Sequence, residues 1–406
     1  MKPYTVGIEE EYFVSNARTF APATRMPKEL VRAFLKLRPK HGSVTTEMLQ
    51  AQIEVNSDVC ETFDQAREQL AGLRGLLART AEEHGHCISA SGTHPMALWY
   101  EQMLTPKARY RRIQDDLQIV GRRNVLCGLH VHVQVPEPQR RVALMVRSMP
   151  YLPLLLALSL SSPFWQGHPT GLKGYRLSAY DELPRTGFPP VLSSAQSYDD
   201  FVAALVAAKI IPDASHIWWC IRPALLYPTI ELRIADSNPR LDDVLCLAAW
   251  FRCLVRRLCE DRRFGYAVTP EMRAIIYENR WRIQRFGTEA SIVDPLTLES
   301  TTVAGELETL AGVLGQDADV LGCRKEFERW RSVLGQGTAA DRQIAIYDEA
   351  RASGHSRTAA LREVMTWLAA ETRLVPSEPT IESNLIPGIG SAIDHHLPRI
   401  EDSGAL

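Results

Sequence analysis

The chain has 406 residues, 45% of them hydrophobic and 23% charged, a balance that suits a globular protein with a large core. Its 46 Lys+Arg and 48 Asp+Glu leave a formal charge of −2, which argues against a dedicated nucleic-acid binder with a basic stripe. None of the eight cysteines forms a C-x-x-C pair, so they read as small buried hydrophobes of a reducing compartment rather than zinc or redox motifs.

The first residues, through Glu9-Glu-Glu11, carry charge where a secretory signal needs an apolar run. The longest apolar stretch, Met149 to Leu160, is interrupted by Pro150 and Pro153 and falls short of the ~20 residues that span a bilayer. The expectation is a cytoplasmic protein with neither membrane nor nucleic-acid partners.

In chain order, Tyr4 to Val14 reads as a strand and Lys28 to Leu37 as a short amphipathic helix. Ala51 to Val55 is a second strand. A helix capped at Asp64 runs to about His84, with Leu70, Leu73, Leu76 and Leu77 at helical spacing and Gly85 as its stop. Cys87 to Gly92 is a small strand, and Tyr110 to Val120 a helix. Leu129, Val131, Val133 and Val135 alternate in a strand ended by Pro136. Arg140 to Ser161 is helical with a break at Pro150 or Pro153. The long Gly- and Pro-rich stretch 162–190 reads as a functional loop. A helix over 199–208, strands over 217–222 and 229–236, and a long buried helix over 241–261 follow. Helices are then expected over 271–284, 304–315, 324–334, 340–352 and 357–372, with an extended tail over 376–406. Adjacent strands without an intervening helix favour an α+β fold with an antiparallel sheet. No G-x-G-x-x-G and no P-loop is present.

Four β segments carry chemistry-bearing side chains. Glu9 and Glu11 share one strand face, while Glu10 takes the other. Two carboxylates so placed repel unless solvent or a cation separates them, which allows either a solvated edge or a divalent-cation site. Glu54 lies in Gln-Ile-Glu-Val, and Glu47, seven residues earlier, can join it only through a turn or bulge. His130 and His132 share a face and read equally as metal ligands or structural histidines. Glu231 and Arg233 share a face as well, as an ion pair or as site residues. The loop contributes Arg176 and Arg185, whose guanidinium forks suit phosphate or carboxylate.

These segments, in order and spacing, resemble the carboxylate–amine ligase family related to glutamate–cysteine ligase, the YbdK-like branch. The resemblance is carried by Gly7-Ile-Glu-Glu-Glu11, Glu47 to Glu54 with Asp58-Val-Cys60, Ser91-Gly-Thr-His-Pro95 and Gly128-Leu-His-Val-His132. It continues in Leu158 to Gly167, Thr170-Gly-Leu172 with Tyr175-Arg176, Trp218-Trp219 with Arg222-Pro223, and Thr229-Ile-Glu-Leu-Arg233 with Asp236. Asn279 to Arg282 and Arg285-Phe-Gly287 complete it.

The resemblance implies a glutamine-synthetase-like antiparallel half-barrel backed by helices. It implies one catalytic domain over 1–375, with helical additions over about 265–375. The implied activity is ATP-dependent amide formation through an acyl phosphate, with ATP and Mg²⁺ (or Mn²⁺) as cofactors. Glutamate and cysteine are the implied carboxylate and amine, and a homodimer the implied assembly. Glu9, His130 and Glu231 would hold one metal ion and Glu11, Glu47 and Glu54 the other. Arg233 and Arg176 would contact the transferred phosphate or the substrate carboxylate, and Arg282 and Arg285 the ATP phosphates. Two positions depart from the family pattern: Cys220 replaces an acidic residue and Gly174 a serine. Two alternatives stay open on the residues alone: a metal-dependent hydrolase built on His130 and His132, and a non-catalytic nucleotide- or amino-acid-binding protein.

Overall fold

Strand β1 (Val6–Asn16) alternates cleanly, with Val6, Ile8, Glu10, Tyr12 and Val14 facing helices and Gly7, Glu9 and Glu11 facing away. The computed structural model describes residues 3–373, so the tail expected over 376–406 lies outside the described residues. Helix α1 (Lys28–Lys36) follows, then β2 (Ser43–Thr46) and β3 (Gln52–Asn56). Helix α2 (Phe63–Glu83) starts two residues earlier than expected. Its cap is Thr62, which forms a reciprocal capping box with Gln65, while Asp64 sits in the first turn and favours the positive helix end. β4 (His86–Ser89), α3 (Ala108–Arg122) and β5 (Gly128–Gln134) come next. The expected break falls at Pro150, in a 3₁₀ turn separating α4 (Arg141–Ser148) from α5 (Leu152–Ala157).

The stretch 162–190 has more structure than a loop. It holds a small hairpin of β6 (Phe164–Trp165) and β7 (His168–Pro169), then the short helix α6 (Tyr175–Tyr180). Helix α7 (Ala195–Ala207) leads to β8 (Ile221–Pro223), shorter than expected, and β9 (Thr229–Asp236). Helix α8 (Leu241–Glu260) is buried along most of its length. Helix α9 (Pro270–Phe286) opens on a Thr269 cap with proline in its first turn, and ends at Gly287, whose φ of 68° is open to glycine. A hairpin, β10 (Ser291–Val293) with β11 (Ser300–Thr302), was not legible in the sequence. Helices α10 (Val303–Leu321), α11 (Arg324–Glu328), α12 (Trp330–Gln336), α13 (Ala339–Ala352) and α14 (Arg357–Arg373) complete the described chain. The single helix expected over 324–334 is thus two.

The main sheet has the order β2-β3-β1-β5-β9-β8, with antiparallel pairing throughout. β1 pairs with β5 along its first half and with β4 along its second. One face is apolar: Ile8, Leu129, Val131, Val133, Ile230 and Leu232 join the main core with α4, α5 and α8. Burying such a face supplies about 25 cal/mol per Å² of apolar surface, which anchors the sheet and leaves its other face free for polar residues.

Glu10 is the exception on the core side. Its carboxylate accepts from Arg74 of α2 at 2.5 and 3.1 Å and from the Tyr12 hydroxyl, all fully buried. Seven of the eight cysteines are buried, all eight are free, and no described helix is long and apolar enough to cross a membrane.

Candidate active site

The polar face of the sheet gathers its charged residues by register. Across β1 and β3, Glu11 stands opposite Glu54; across β1 and β5, Glu9 stands opposite His130; across β5 and β9, His132 stands opposite Glu231. Glu47 follows β2 and comes back toward Glu54 through the turn between β2 and β3, the route its odd spacing required.

Two triads result, each with donor atoms within 4.8 Å of one another: Glu11, Glu47 and Glu54, and Glu9, His132 and Glu231. The first is the set the family pattern implied. The second contains His132 where the resemblance implied His130. The reason is a bulge. The β5–β9 register shifts between Leu129 and Val131, so His130 meets the irregular stretch while His132 faces Glu231 squarely. His130 instead bridges the two groups, with Nδ1 3.1 Å from Glu9 and Nε2 3.9 Å from Glu11. His132 has Nε2 3.2 Å from Glu9, and its Nδ1 lies 3.0 Å from the Thr229 hydroxyl.

The same bulge places Ile234 and Ala235 together in the core and returns Asp236 to the polar side. There Asp236 accepts from the Ser161 amide at 3.0 Å and the Ser162 hydroxyl at 2.6 Å. Ser162 in turn accepts from the Arg176 amide at 3.0 Å, fixing the start of α6.

The triads differ electrically. Burial, then the charge of Glu54, pushes the Glu11 carboxyl up to about 7. Burial, then the charges of Glu11 and Glu54, pushes Glu47 well above the usual range. Burial, then the charge of Glu9, raises Glu54. Three crowded carboxylates without a cationic side chain of their own suit a hard divalent cation, which would remove the repulsion.

In the second triad burial also works to raise Glu231, but Arg233 and Arg222 outweigh it and hold the carboxyl low. Burial opposes the Glu9 shift too, yet hydrogen bonds from His130 and His132 keep Glu9 well below its ordinary range. Burial and then Arg233 depress His130 to about 4, leaving it neutral and able to coordinate. His132 is raised: burial opposes this, and its hydrogen bond to Glu9 and the charge of Glu231 prevail. A cation held by this triad would displace the His132 proton and share Glu231 with its two arginines, so part of the triad's charge is already balanced.

A cavity of about 360 Å³ opens over this face, lined by Glu9, Glu11, Glu47, Glu54 and His130 together with Arg109, Arg176, Arg222 and Arg233. Arg233 bonds Glu231 and reaches the Tyr180 hydroxyl at 3.4 Å. Arg176 is almost fully buried, within 3.4 Å of the Ile234 carbonyl and 4.0 Å of Asp236. Its Nε, like that of Arg233, is buried without a hydrogen-bond partner.

Arg282 and Arg285 do not line this cavity. Helix α9 turns Asn279, Arg280, Ile283 and Gln284 inward. That leaves Arg282 against Glu278 and the Ser291 carbonyl, and Arg285 over the Phe286 ring. The inward cation is Arg280, which bonds Asp181 and lies 3.9 Å from the Cys220 sulfur. Burial, only partly offset by Arg280, pushes the Cys220 thiol up to about 11. Asp181 is thus the carboxylate that Arg280 meets beside Cys220. Gly174 has a packing reason: a Cβ there would stand 2.6 Å from Leu160.

Sequence reasoning gave no role to three residues that line the cavity, Arg109, Tyr110 and Arg222. Arg222 clamps Glu231 with two bonds, at 2.6 and 3.2 Å. Its signal was available in the Trp218 to Pro223 segment beside the Glu231 strand, whereas Arg109 and Tyr110 sit on a helix that carries no motif.

The model of the glutamate–cysteine ligase family 2 matches residues 5–365. A relative from Bradyrhizobium sp. (strain ORS 278), named "Putative glutamate--cysteine ligase 2", is 44% identical over 385 residues, covering 93% of this chain and 91% of its own. One of the same name from Rhodospirillum rubrum is 44% identical over 371 residues, covering 91% and 95%. Among solved structures, the glutamate–cysteine ligase of Francisella tularensis in complex with AMP superposes with a TM-score of 0.66 at 11% identity, over 92% of this chain and 89% of that one. A bifunctional glutathione synthetase from Pasteurella multocida gives 0.61 at 15% identity, over 91% and 52%. These two likenesses establish the antiparallel α+β fold. On the family match and the sequence identities together, the chain belongs to glutamate–cysteine ligase family 2.

Proposed function

We propose that this chain uses ATP to activate a carboxylate of glutamate and joins it to the amine of cysteine, within one catalytic domain over residues 1–375. As a member of its family the chain is an ATP-dependent carboxylate–amine ligase, which sets aside the hydrolase and the non-catalytic alternatives. The observation that carries the site assignment is the meeting, in one cavity wall, of the Glu11, Glu47 and Glu54 triad with Glu9 of the second triad, Arg176 and Arg233.

Mg²⁺ held by Glu11, Glu47 and Glu54, and by Glu9, His132 and Glu231, would neutralise phosphate charge during in-line transfer. Arg233 and Arg176, set against the sheet by Glu231 and by the Asp236–Ser162 chain, hold anionic oxygens in fixed positions. Such preorganised donors stabilise charge as it develops. The substrate carboxylate attacks the terminal phosphorus and ADP departs. The amine then attacks the acyl carbon, phosphate leaves, and the amine gives up its proton as the amide forms.

ADP release dependent on glutamate, cysteine and Mg²⁺ tests the reading. Glu54→Gln is expected to abolish it, and ATP turnover surviving that change would show the site is misplaced.

A further inference from the structure

Among the cavity arginines, three are already engaged. Arg222 and Arg233 both bond Glu231, and Arg176 lies against backbone carbonyls and Asp236. Arg109 has neither a salt bridge nor a side-chain hydrogen bond among the described residues, and it is exposed. An anion arriving at Arg109 displaces only water, whereas one arriving at Arg222 or Arg233 competes with a buried carboxylate.

Its position is specific. A second cavity, of about 210 Å³, adjoins the first and is lined by Tyr227, Leu226, His132 and Glu231. The two cavities share four residues: Glu9, Arg109, Ser215 and Arg222. In-line phosphoryl transfer places donor and acceptor on opposite sides of the phosphorus. Glu9, shared by both cavities, belongs to a donor triad, so a phosphoryl group held at that triad lies at the boundary that Arg109 borders.

Helix α3 also holds Arg109 next to the first triad. Its start is held by Lys107 and Tyr110, which donate to the Thr46 carbonyl at 2.9 and 3.2 Å, beside the turn bearing Glu47. Ten residues further on, Gln118 adopts φ 50° and ψ −124° inside the helix, a conformation costly for a side-chain-bearing residue and typical of functional segments.

We propose that Arg109 is a catalytic residue that contacts the phosphoryl group at the boundary of the two cavities. The proposal rests on the ligase reading above and deepens it. Removing a free guanidinium from a phosphoryl-transfer site costs on the order of 10³-fold in rate.

Two measurements test it. In steady-state ADP release, Arg109→Ala is expected to lower kcat by at least about 10²-fold, with KM for ATP and for the carboxylate substrate little changed. Arg109→Lys is expected to retain part of the rate, and added guanidinium to restore part of it to the alanine variant. In the second measurement, full-length protein is mixed with Mg²⁺, labelled ADP and aluminium fluoride, which mimics the transferring group and needs no amine substrate. Wild type is expected to trap ADP, and Arg109→Ala to lose trapping while still binding ADP.

Equal trapping by both proteins overturns the proposal. So does a raised KM for the carboxylate substrate with kcat preserved, because Arg109 would then grip substrate rather than phosphorus. Trapping that depends on Arg109 in a protein inactive with glutamate and cysteine would overturn only the substrate assignment. Absence of both trapping and turnover in wild type overturns the ligase site and this proposal together.

Discussion

Gly128 leaves the space that the Arg176 guanidinium occupies: a Cβ at 128 would stand 2.4 Å from Arg176 Nη2 and 3.0 Å from His130 Nε2. The amide of Gly128 also donates to Glu11 at 2.6 Å. One backbone position thus sets an arginine, a histidine and a metal-triad carboxylate at once. Gly128→Ala is expected to push Arg176 off its position and cost about 1–3 kcal/mol of stability by overpacking. The rate of ADP release is expected to fall by on the order of 10²-fold. Urea unfolding and steady-state kinetics on the same variant check both effects, and full activity would show that Arg176 has room to move.

The arginines make the two donor triads unequal. Among the described residues no guanidinium bonds the Glu11, Glu47 and Glu54 triad, whereas both oxygens of Glu231 are engaged by Arg222 and Arg233. Mn²⁺ titration followed by electron paramagnetic resonance is expected to resolve a tighter and a weaker site. Glu54→Gln is expected to remove the tighter one. His132→Ala is expected to weaken the other by at least about tenfold, and His130→Ala to perturb both, since His130 lies between Glu9 and Glu11. A single class of sites unaffected by His132→Ala would return the ligand role to His130.

The raised carboxyls make metal binding and stability depend on pH. Glu11 holds its proton up to about 7 because of burial and then Glu54, while an unfolded glutamate releases it near ~4.3. Between those values the metal-free folded state binds more protons than the unfolded one, so this group's contribution to stability falls as pH rises through the window. A divalent cation displaces those protons and reverses the loss. The rise in Tm on adding Mg²⁺ is therefore expected to be larger at pH 8 than at pH 5.5, and to shrink at both in Glu11→Gln. A pH-independent rise would mean that the carboxylates are ionised throughout.

Three consecutive glutamates serve two different ends. Glu10 pairs with Arg74 on the core side, with side-chain exposures of 1% and 0%, and Arg74 also donates to the Asn238 and Pro239 carbonyls at 2.9 and 2.6 Å. Arg74→Ala leaves a buried carboxylate unpaired and is expected to destabilise by about 3–5 kcal/mol. Glu9→Gln, on the cavity side, is expected to cost far less stability and to abolish ADP release. Denaturant midpoints and activity assays separate the two, and a mild stability loss in Arg74→Ala would mean that Glu10 takes up a proton instead.

Which side chains face together within each strand can be read from residue order alone. A period of two assigns Glu9 and Glu11 to one face, His130 and His132 to one face, and Glu231 and Arg233 to one face, and hydrophobic alternation says which face is buried. Helix spans were legible through apolar spacing, as at Leu70, Leu73 and Leu77, and through stop residues such as Gly85. What only the tertiary structure decided is which strand neighbours which, and in what register. Periodicity cannot separate His130 from His132, because both satisfy it; the bulge in the β5–β9 ladder is what sets His132 opposite Glu231. Nor can a helix pattern tell which arginine turns toward a distant sheet, so Arg280 inside α9 and Arg109 on α3 emerged only from packing. Local spacing fixes faces because it follows from backbone geometry. Sites are built from contacts between residues more than a hundred positions apart, such as Glu9 with His130 and Gly128 with Glu11, and those depend on how the whole core closes.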